Sequence, residues 1–175
     1  MFRRRQQQDE GSAPPNVYKM RQSLISIGDD YWIENGVGQR AFKVDGKVFR
    51  IRNTLVIEDA AGNEVATLKE KLVSVRDVMT IERGGQVLAT VKKALFTPLR
   101  ERFEVELASG GSYEVKGKIT DHHYTFERDG REVATVSKRW FRVRDTYGVQ
   151  IAGDEDPALI LAATVAIDQM THDVG

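Results

Sequence analysis

A short pattern recurs along most of the chain at a nearly constant interval. It consists of an aliphatic residue, any residue and then an acid or amide, usually with a second aliphatic residue six positions after the first. The copies begin at residues 27, 51, 75, 99, 119 and 143, so four of the five intervals are 24 residues and one is 20. Self-similarity at such a period indicates repeated supersecondary units. This repeat therefore constrains the fold more than any single motif does.

The segments between the repeats are typical of short strands joined by tight turns. Apolar and polar residues alternate one by one in runs such as 65–69, 103–107 and 124–127. Alternation with period two predicts half-buried strands, so six units of two strands predict about twelve strands. Glycine tolerates the positive backbone angles of tight hairpin turns. It occurs in five candidate turns: Asp45-Gly46, Ala61-Gly62-Asn63, Gly84-Gly85, Gly110-Gly111 and Asp129-Gly130.

The last part of the chain has the signature of a buried helix. Three acids at 154–156 followed by Pro157 suit the start of a helix and its dipole. Residues 158–167 are apolar on every side, which is typical of a helix buried all round. The segment is shorter than the roughly twenty apolar residues that span a bilayer. We therefore predict no transmembrane segment.

These two features together predict one architecture. A closed barrel of about eight strands is filled by its own side chains, so one of about twelve needs a filling element. A helix over 157–170 would be about 21 Å long at about 1.5 Å per residue. We predict an all-β fold with one helix: a twelve-stranded antiparallel closed barrel, built from six hairpin repeats around a buried C-terminal apolar helix. Residues 17–175 form this single domain, and residues 1–16 form a disordered basic and polar tail.

Composition limits the functional classes. Of the 175 residues, 41% are hydrophobic, which suits one well-buried core, and 26 basic residues balance 26 acidic ones. A formal net charge of zero argues against a constitutive nucleic-acid binder. The chain has no cysteine, which excludes disulfides and cysteine-based metal sites. No apolar run follows Arg3-Arg4-Arg5, so we expect no secretory signal and a cytoplasmic location, with peripheral association at the membrane as an extension.

The sequence resembles the LURP-one-related family, which lies within the Tubby C-terminal-like superfamily together with the phospholipid scramblases. The resemblance covers nearly the whole chain, and the order of its segments carries it. These segments are 18–22 (YKMRQ), 26–31 (SIGDDY), 62–66 (GNEVA), 70–72 (EKL), 87–92 (VLATVK), 145–148 (DTYG), and 158–161 (ALIL) through 167–168 (ID).

The resemblance implies a twelve-stranded barrel around a hydrophobic helix and implies no reaction. Tubby domains bind phosphoinositide headgroups through basic residues on the barrel exterior, but those positions do not match residues here. Scramblases place a calcium-associated acidic segment before a longer final helix. Residues 153–156 are comparably placed in this chain but lack the extended loop and the spaced ligands, which disfavours calcium.

Cations recur at fixed positions in the repeat. Equivalent positions of a barrel lie at similar height, so these cations predict a partial ring near one rim that attracts phosphate or lipid headgroups. The alternative is that each cation pairs with a neighbouring acid, such as Asp77, Glu101 or Asp145, and contributes little. The candidate anion-binding residues are Arg50, Arg52, Arg76, Arg100, Lys118, Arg142 and Arg144.

No segment indicates catalysis, a metal or a cofactor. The chain has no nucleophile elbow, phosphate loop or dinucleotide fingerprint. His122 and His123 are adjacent on a predicted turn, and neighbouring strand residues point to opposite faces, so we do not expect them to chelate one metal. Trp32, Trp140 and Phe141 are expected in the core, because isolated aromatic residues of strands usually pack there. The alternatives are that they act as interfacial anchors or as a stacking platform for nucleic acid.

The sequence thus favours a non-enzymatic binding module. We expect it to recognise an anionic ligand, either a phospholipid headgroup or a protein partner. The alternative is a structural or assembly protein that docks another chain and takes no small-molecule ligand, with its arginines only joining the strands at the rim.

Overall fold

The computed structural model describes most of the chain between Asn16 and His172. The predicted tail, apart from Asn16, lies outside the described residues. These are residues 16–21, 30–46, 54–73, 76–94, 102–141 and 144–172.

Twelve strands form one closed antiparallel barrel, as predicted. Each strand pairs with its neighbours in the chain, and β1 closes the barrel against β12, with Val17 opposite Gln150 and Arg21 opposite Thr146. Closure leaves none of these strands with an unpaired edge. The strands are β1 (Val17–Arg21), β2 (Tyr31–Asn35), β3 (Arg40–Asp45), β4 (Thr54–Asp59), β5 (Glu64–Val73), β6 (Arg76–Arg83), β7 (Gln86–Lys93), β8 (Arg102–Leu107), β9 (Ser112–Lys118), β10 (His123–Arg128), β11 (Arg131–Ser137) and β12 (Thr146–Ile151).

The 24-residue interval corresponds to one hairpin. In the even-numbered strands, the second aliphatic residue of the pattern faces the barrel interior and is fully buried. In β10 the equivalent interior position is occupied by Phe126. A β-bulge directly follows four of these residues, between Ile33 and Glu34 and at the matching places in β4, β6 and β10. Bulges increase strand twist, which helps a sheet to close. The core residues of this layer are Ile33, Ile57, Ile81, Val105, Phe126 and Val149.

The two rims of the barrel differ in their turns. At the rim where the chain passes from β12 towards the helix, called here the entry rim, the strands are joined by tight glycine turns such as Gly84-Gly85 and Gly110-Gly111. Gly46 instead follows β3 at the opposite rim, called here the far rim. The entry-rim turn between β2 and β3 is formed by residues 35–39, where the Asn35 side chain accepts hydrogen bonds from the Val37 and Gln39 amides. The sequence prediction missed that turn.

The helix α1 (Pro157–His172) runs inside the barrel. Asp156 caps it, since its Oδ1 accepts hydrogen bonds from the amides of Ala158 at 3.0 Å and Leu159 at 3.4 Å, and Pro157 occupies the first helical position. Ile160 and Leu161 are fully buried, and Leu159 is partly buried against the same core. The helix packs on β5, β6, β7 and β12. It fills the barrel as predicted and extends two residues past the predicted end.

Within the described part of the chain, no helix combines the length and the apolar content that are needed to cross a membrane.

A charge placed on the buried helix should unfold the barrel. We expect Leu161→Asp to lower the free energy of unfolding by at least about 3 kcal/mol, because a carboxyl would replace a fully buried leucine. The matched control is Val37→Asp at a side chain that is 71% exposed, where we expect a change within about 0.5 kcal/mol. Urea unfolding followed by circular dichroism measures both. Equal stability of the two variants would contradict the buried position of the helix.

Candidate functional site

The structure places three of the seven predicted cations, and all three lie at the far rim. Arg76 begins β6, Lys118 ends β9, and Arg144 lies two residues before β12. The side chains of Lys118 and Arg144 are exposed. The other four predicted cations lie outside the described residues, so the ring itself stays a prediction; they are Arg50, Arg52, Arg100 and Arg142.

The neighbouring acid of Arg144 does little to neutralise it. The Nε atom of Arg144 lies 3.8 Å from Oδ2 of Asp145, and the side chains of Arg144 and Asp145 are 95% and 73% exposed. A pair this open to water is screened and contributes little. Lys118 makes no ion pair with any described carboxylate. Both cations thus remain accessible to a ligand.

Further cations of the far rim were missed by the sequence analysis because they fall outside the repeated pattern. Arg21 ends β1, Lys93 ends β7, and Arg102 begins β8. Lys138 and Arg139 belong to a 3-10 turn, Lys138–Trp140, that follows β11 at the same rim. Within the described ranges, none of these five makes an ion pair with a carboxylate.

The outer wall of the barrel, by contrast, carries a regular series of ion pairs. In five of the six hairpins, a lysine of the odd-numbered strand pairs with the glutamate that directly follows the core residue of the even-numbered strand. We call this series the lysine–glutamate belt. Its pairs are Lys19–Glu34, Lys43–Glu58 at 3.6 Å, Lys69–Glu82 at 2.7 Å, Lys92–Glu106 at 2.8 Å and Lys116–Glu127 at 3.3 Å.

Arginines of the entry rim hold the acidic segment before the helix. Arg131 pairs with Asp154 at 2.8 Å and thereby lowers the pKa of that carboxyl. Arg83 pairs with Asp156 at 2.9 Å. These carboxylates therefore anchor the start of α1 to β6 and β11. Across the described residues, no three His, Cys, Asp or Glu side chains are grouped so that they could hold a metal ion.

A buried polar cluster lies inside the barrel beneath the far rim. Tyr31, Tyr124 and Tyr147 each lie two residues before the core residue of their strand, and the matching positions of β4, β6 and β8 carry Leu55, Met79 and Phe103. The three tyrosines come from β2, β10 and β12, which lie on one side of the barrel. One interior layer is thus polar on that side and apolar on the other.

Asp168 of α1 faces this cluster. The Tyr147 hydroxyl donates a hydrogen bond to the Asp168 carboxylate, and the His122 ring stacks on Tyr147 with a centroid distance of 4.2 Å. Nε2 of His122 lies 3.3 Å from Oδ1 of Asp168, although without hydrogen-bond geometry. His122 and Asp168 are 3% and 5% exposed. The carboxylate is thus compensated inside the barrel and closed off from solvent.

The sequence contained two signals for this cluster. Asp168 is the first charged residue after a run, 158–167, that is apolar apart from Thr164, and tyrosine recurs two positions before the core residue in three units. His122 is buried and His123 exposed, as expected for adjacent residues that point apart. The contact of His122 with a helix residue 46 positions later had no local signal. Its turn conformation, with φ of 50°, turns the ring inward.

The aromatic residues expected in the core lie on the outside. Trp32 alternates with buried neighbours in β2, so it faces outward, where the Arg40 guanidinium lies 4.9 Å from its ring centre. Trp140 and Phe141 follow β11 and are half-buried on the exterior, and Arg139 lies 5.3 Å from the Trp140 ring. The expectation was wrong because cation–π contacts and surface packing accommodate these rings.

The buried tyrosines should make the fold sensitive to alkali. Burial is the largest cause that raises the pKa of Tyr31, Tyr124 and Tyr147 well above the ordinary value, and the Asp168 charge raises all three further. The resulting stability is fully present below pH of about 10 and is lost above it, because the unfolded chain releases the protons first.

We expect the free energy of unfolding to fall by up to about 1.4 kcal/mol per pH unit for each buried tyrosine above pH of about 10. Tyr124→Phe should reduce that slope by the contribution of one group, and Tyr18→Phe, at a half-buried position, should reduce it less. Urea unfolding across a series of alkaline buffers measures the slope. An unchanged slope in Tyr124→Phe would contradict the buried, protonated state of that hydroxyl.

Comparison with known proteins shows one family. A family model described as LURP-one-related matches residues 16–168. An uncharacterized protein of Bacillus subtilis, YxjI, is 29% identical over 155 residues, which cover 87% of this chain and 92% of YxjI. LURP-one-related 15 of Arabidopsis thaliana is 27% identical over 169 residues, which cover 86% of this chain and 77% of that protein.

A solved structure has the same fold. The X-ray structure of an Arabidopsis thaliana protein superposes with a TM-score of 0.64 at 19% identity, covering 92% of this chain and 94% of the other. At this identity the likeness concerns the fold alone.

Proposed function

The chain belongs to the LURP-one-related family, and from this premise we propose that it is a non-catalytic binding module whose far rim recognises an anionic ligand, a phospholipid headgroup in the first place. The family relatives bear no name that specifies a ligand. The proposal therefore depends on the distribution of charge over the barrel.

The observation that carries the proposal is the contrast between wall and rim. Lysines of the wall are paired with glutamates in five hairpins, whereas exposed cations of the far rim have no described carboxylate within pairing distance, apart from the loose contact of Arg144. Unpaired cations on one end of a neutral protein form a local positive field that attracts anions. A phosphate-bearing headgroup offers the charge and acceptor oxygens that such cations bind.

Burial of the interior polar groups supports binding over catalysis. His122 and Asp168 are the described pair that most resembles acid–base machinery, yet both are nearly inaccessible to solvent. A general base must come within hydrogen-bond reach of its substrate, directly or through one water. A ligand can contact the exposed far rim without entering the barrel interior.

Neutralising the far rim should weaken binding to acidic vesicles. We expect Arg76→Gln, Lys118→Gln and Arg144→Gln together to cost up to about 3 kcal/mol, since each cation near an anionic surface contributes about 1 kcal/mol. The measurement is co-sedimentation with vesicles of phosphatidylcholine alone, with added phosphatidylserine, and with added phosphoinositide, at physiological salt.

The matched control places the same change of net charge at the entry rim. Ala60→Glu, Gln86→Glu and Ser109→Glu occupy exposed positions in or beside its turns and should leave binding nearly unchanged. An equal loss in both triple variants would show that net charge rather than the far rim decides binding. Failure of the parent chain to bind acidic vesicles better than neutral ones would overturn the proposal and favour a chain that docks a protein partner.

Removal of residues 1–15 separates the barrel from its arginine-containing N-terminal segment. We expect binding to acidic vesicles to survive this removal, because three arginines alone contribute a weak anchor. Loss of all binding in the shortened chain would assign the interaction to that segment instead of the far rim.

A further inference from the structure

Two aromatic rings are fixed on the outside of the barrel beside the far rim. Trp140 ends the 3-10 turn after β11, Phe141 follows it, and both are half-buried. They lie against Gly148 of β12. A Cβ at that position would lie 2.8 Å from Cε3 of Trp140 and 3.0 Å from Cε2 of Phe141. The absence of a side chain at Gly148 is thus what lets both rings pack on the barrel wall.

Cations flank this pair of rings in the chain. Lys138 and Arg139 precede Trp140 and are exposed, and the Arg139 guanidinium carbon lies 5.3 Å from the Trp140 ring centre. Arg144 is 95% exposed and lies between the rings and β12 in the chain. We call the segment 138–141 with Arg144 and Gly148 the aromatic corner. Its composition combines amphipathic rings with accessible positive charge.

The wall below the aromatic corner is the place where the lysine–glutamate belt is interrupted. Gln150 occupies the position of the belt glutamates, directly after the core residue Val149. The β11 residues that correspond to the belt lysines are Thr135, directly opposite Gln150, and Ser137, two residues further along. All three residues are uncharged, in contrast to the pairs of the other five hairpins. Gln150 and Thr135 line an open cleft of about 300 Å³ that extends from the wall to the entry rim, where Asn16, the charged Glu132 and Gly153 complete its lining.

We infer that the aromatic corner is the part of the barrel that enters the interfacial region of an anionic membrane, with Trp140 at the level of the headgroups. This inference rests on the proposed function and specifies the contact surface. Tryptophan is enriched where the bilayer meets water because its ring is apolar and its N–H is polar. Adjacent cations attract the anionic lipid surface.

A purely structural role for the rings makes a different prediction. If Trp140 and Phe141 only cover β12, their environment should be the same with and without vesicles. The chain has two tryptophans, so a single substitution isolates each of them. Trp32 faces outward under Arg40 on β2, two strands away from β12, and serves as the reference.

The experiment uses the full chain as Trp32→Phe, which leaves Trp140 as the fluorophore, and as Trp140→Phe, which leaves Trp32. Each variant is mixed with vesicles of phosphatidylcholine and phosphatidylserine whose acyl chains are either brominated or unmodified. Sedimentation of the same samples measures binding independently of fluorescence.

We expect Trp140 emission to shift to shorter wavelength and to be quenched by brominated lipid, with Trp32 emission changed much less. Binding without quenching of Trp140, or with equal quenching of both tryptophans, would overturn the aromatic corner and leave the proposed function standing. Absence of binding to either kind of vesicle would overturn both.

A substitution gives a second test. Trp140→Ala should weaken vesicle binding about tenfold, the loss expected when about 50 Å² of apolar contact with the membrane is removed. The control is Val37→Ala, which removes an exposed apolar side chain at the entry rim and should leave the affinity unchanged. Thermal melts verify that both variants are folded. A folded Trp140→Ala variant with parental affinity would contradict the inference.

Discussion

Burial of a largely apolar helix inside the barrel is the constraint on which the rest of the structure depends. Residues 160–167 of α1 are completely buried, and interior residues of both odd- and even-numbered strands close around them. A twelve-stranded barrel without such an element would enclose a space too wide for its own side chains. The arginines that hold residues 154 and 156 at the entry rim fix the point where the helix enters. Core, closure and helix thus stabilise one another.

The buried helix also determines where polar chemistry occurs in the interior. Its apolar length ends at Asp168, and this carboxylate requires compensation inside a water-poor barrel. Tyr147 and His122 supply it, and Tyr31 and Tyr124 lie within electrostatic reach. The polar cluster therefore follows from the position of Asp168 on the helix, inside the barrel beneath the far rim. The surface charges are independent of this cluster: the belt lysines are paired with glutamates along the wall, whereas cations of the far rim are accessible.

Much of the fold was predictable because its signals are local and repeated. The 24-residue interval, the alternation of side chains and the apolar run of residues 158–167 each depend on a regular period that strands or helices impose on sequence. The predictions were weaker where periodicity is no guide. Trp32, Trp140 and Phe141 pack outside, and the belt pairs and the contact between His122 and Asp168 join residues whose distance depends on strand register. The far-rim position of Arg76, Lys118 and Arg144 followed from the repeat, whereas the exposure of Lys118 and Arg144 did not.

The sequence by itself determined the number of strands, the hairpin unit, the filling helix and the common rim of Arg76, Lys118 and Arg144. The period of the side chains and the length of a helix follow from backbone geometry, so both can be inferred from the order of residues in the sequence. The tertiary structure decided which charges are neutralised, which rings face the surface, and how Asp168 is compensated. These outcomes depend on which residues of different strands become neighbours across the closed barrel, and strand register and closure set those distances only in three dimensions.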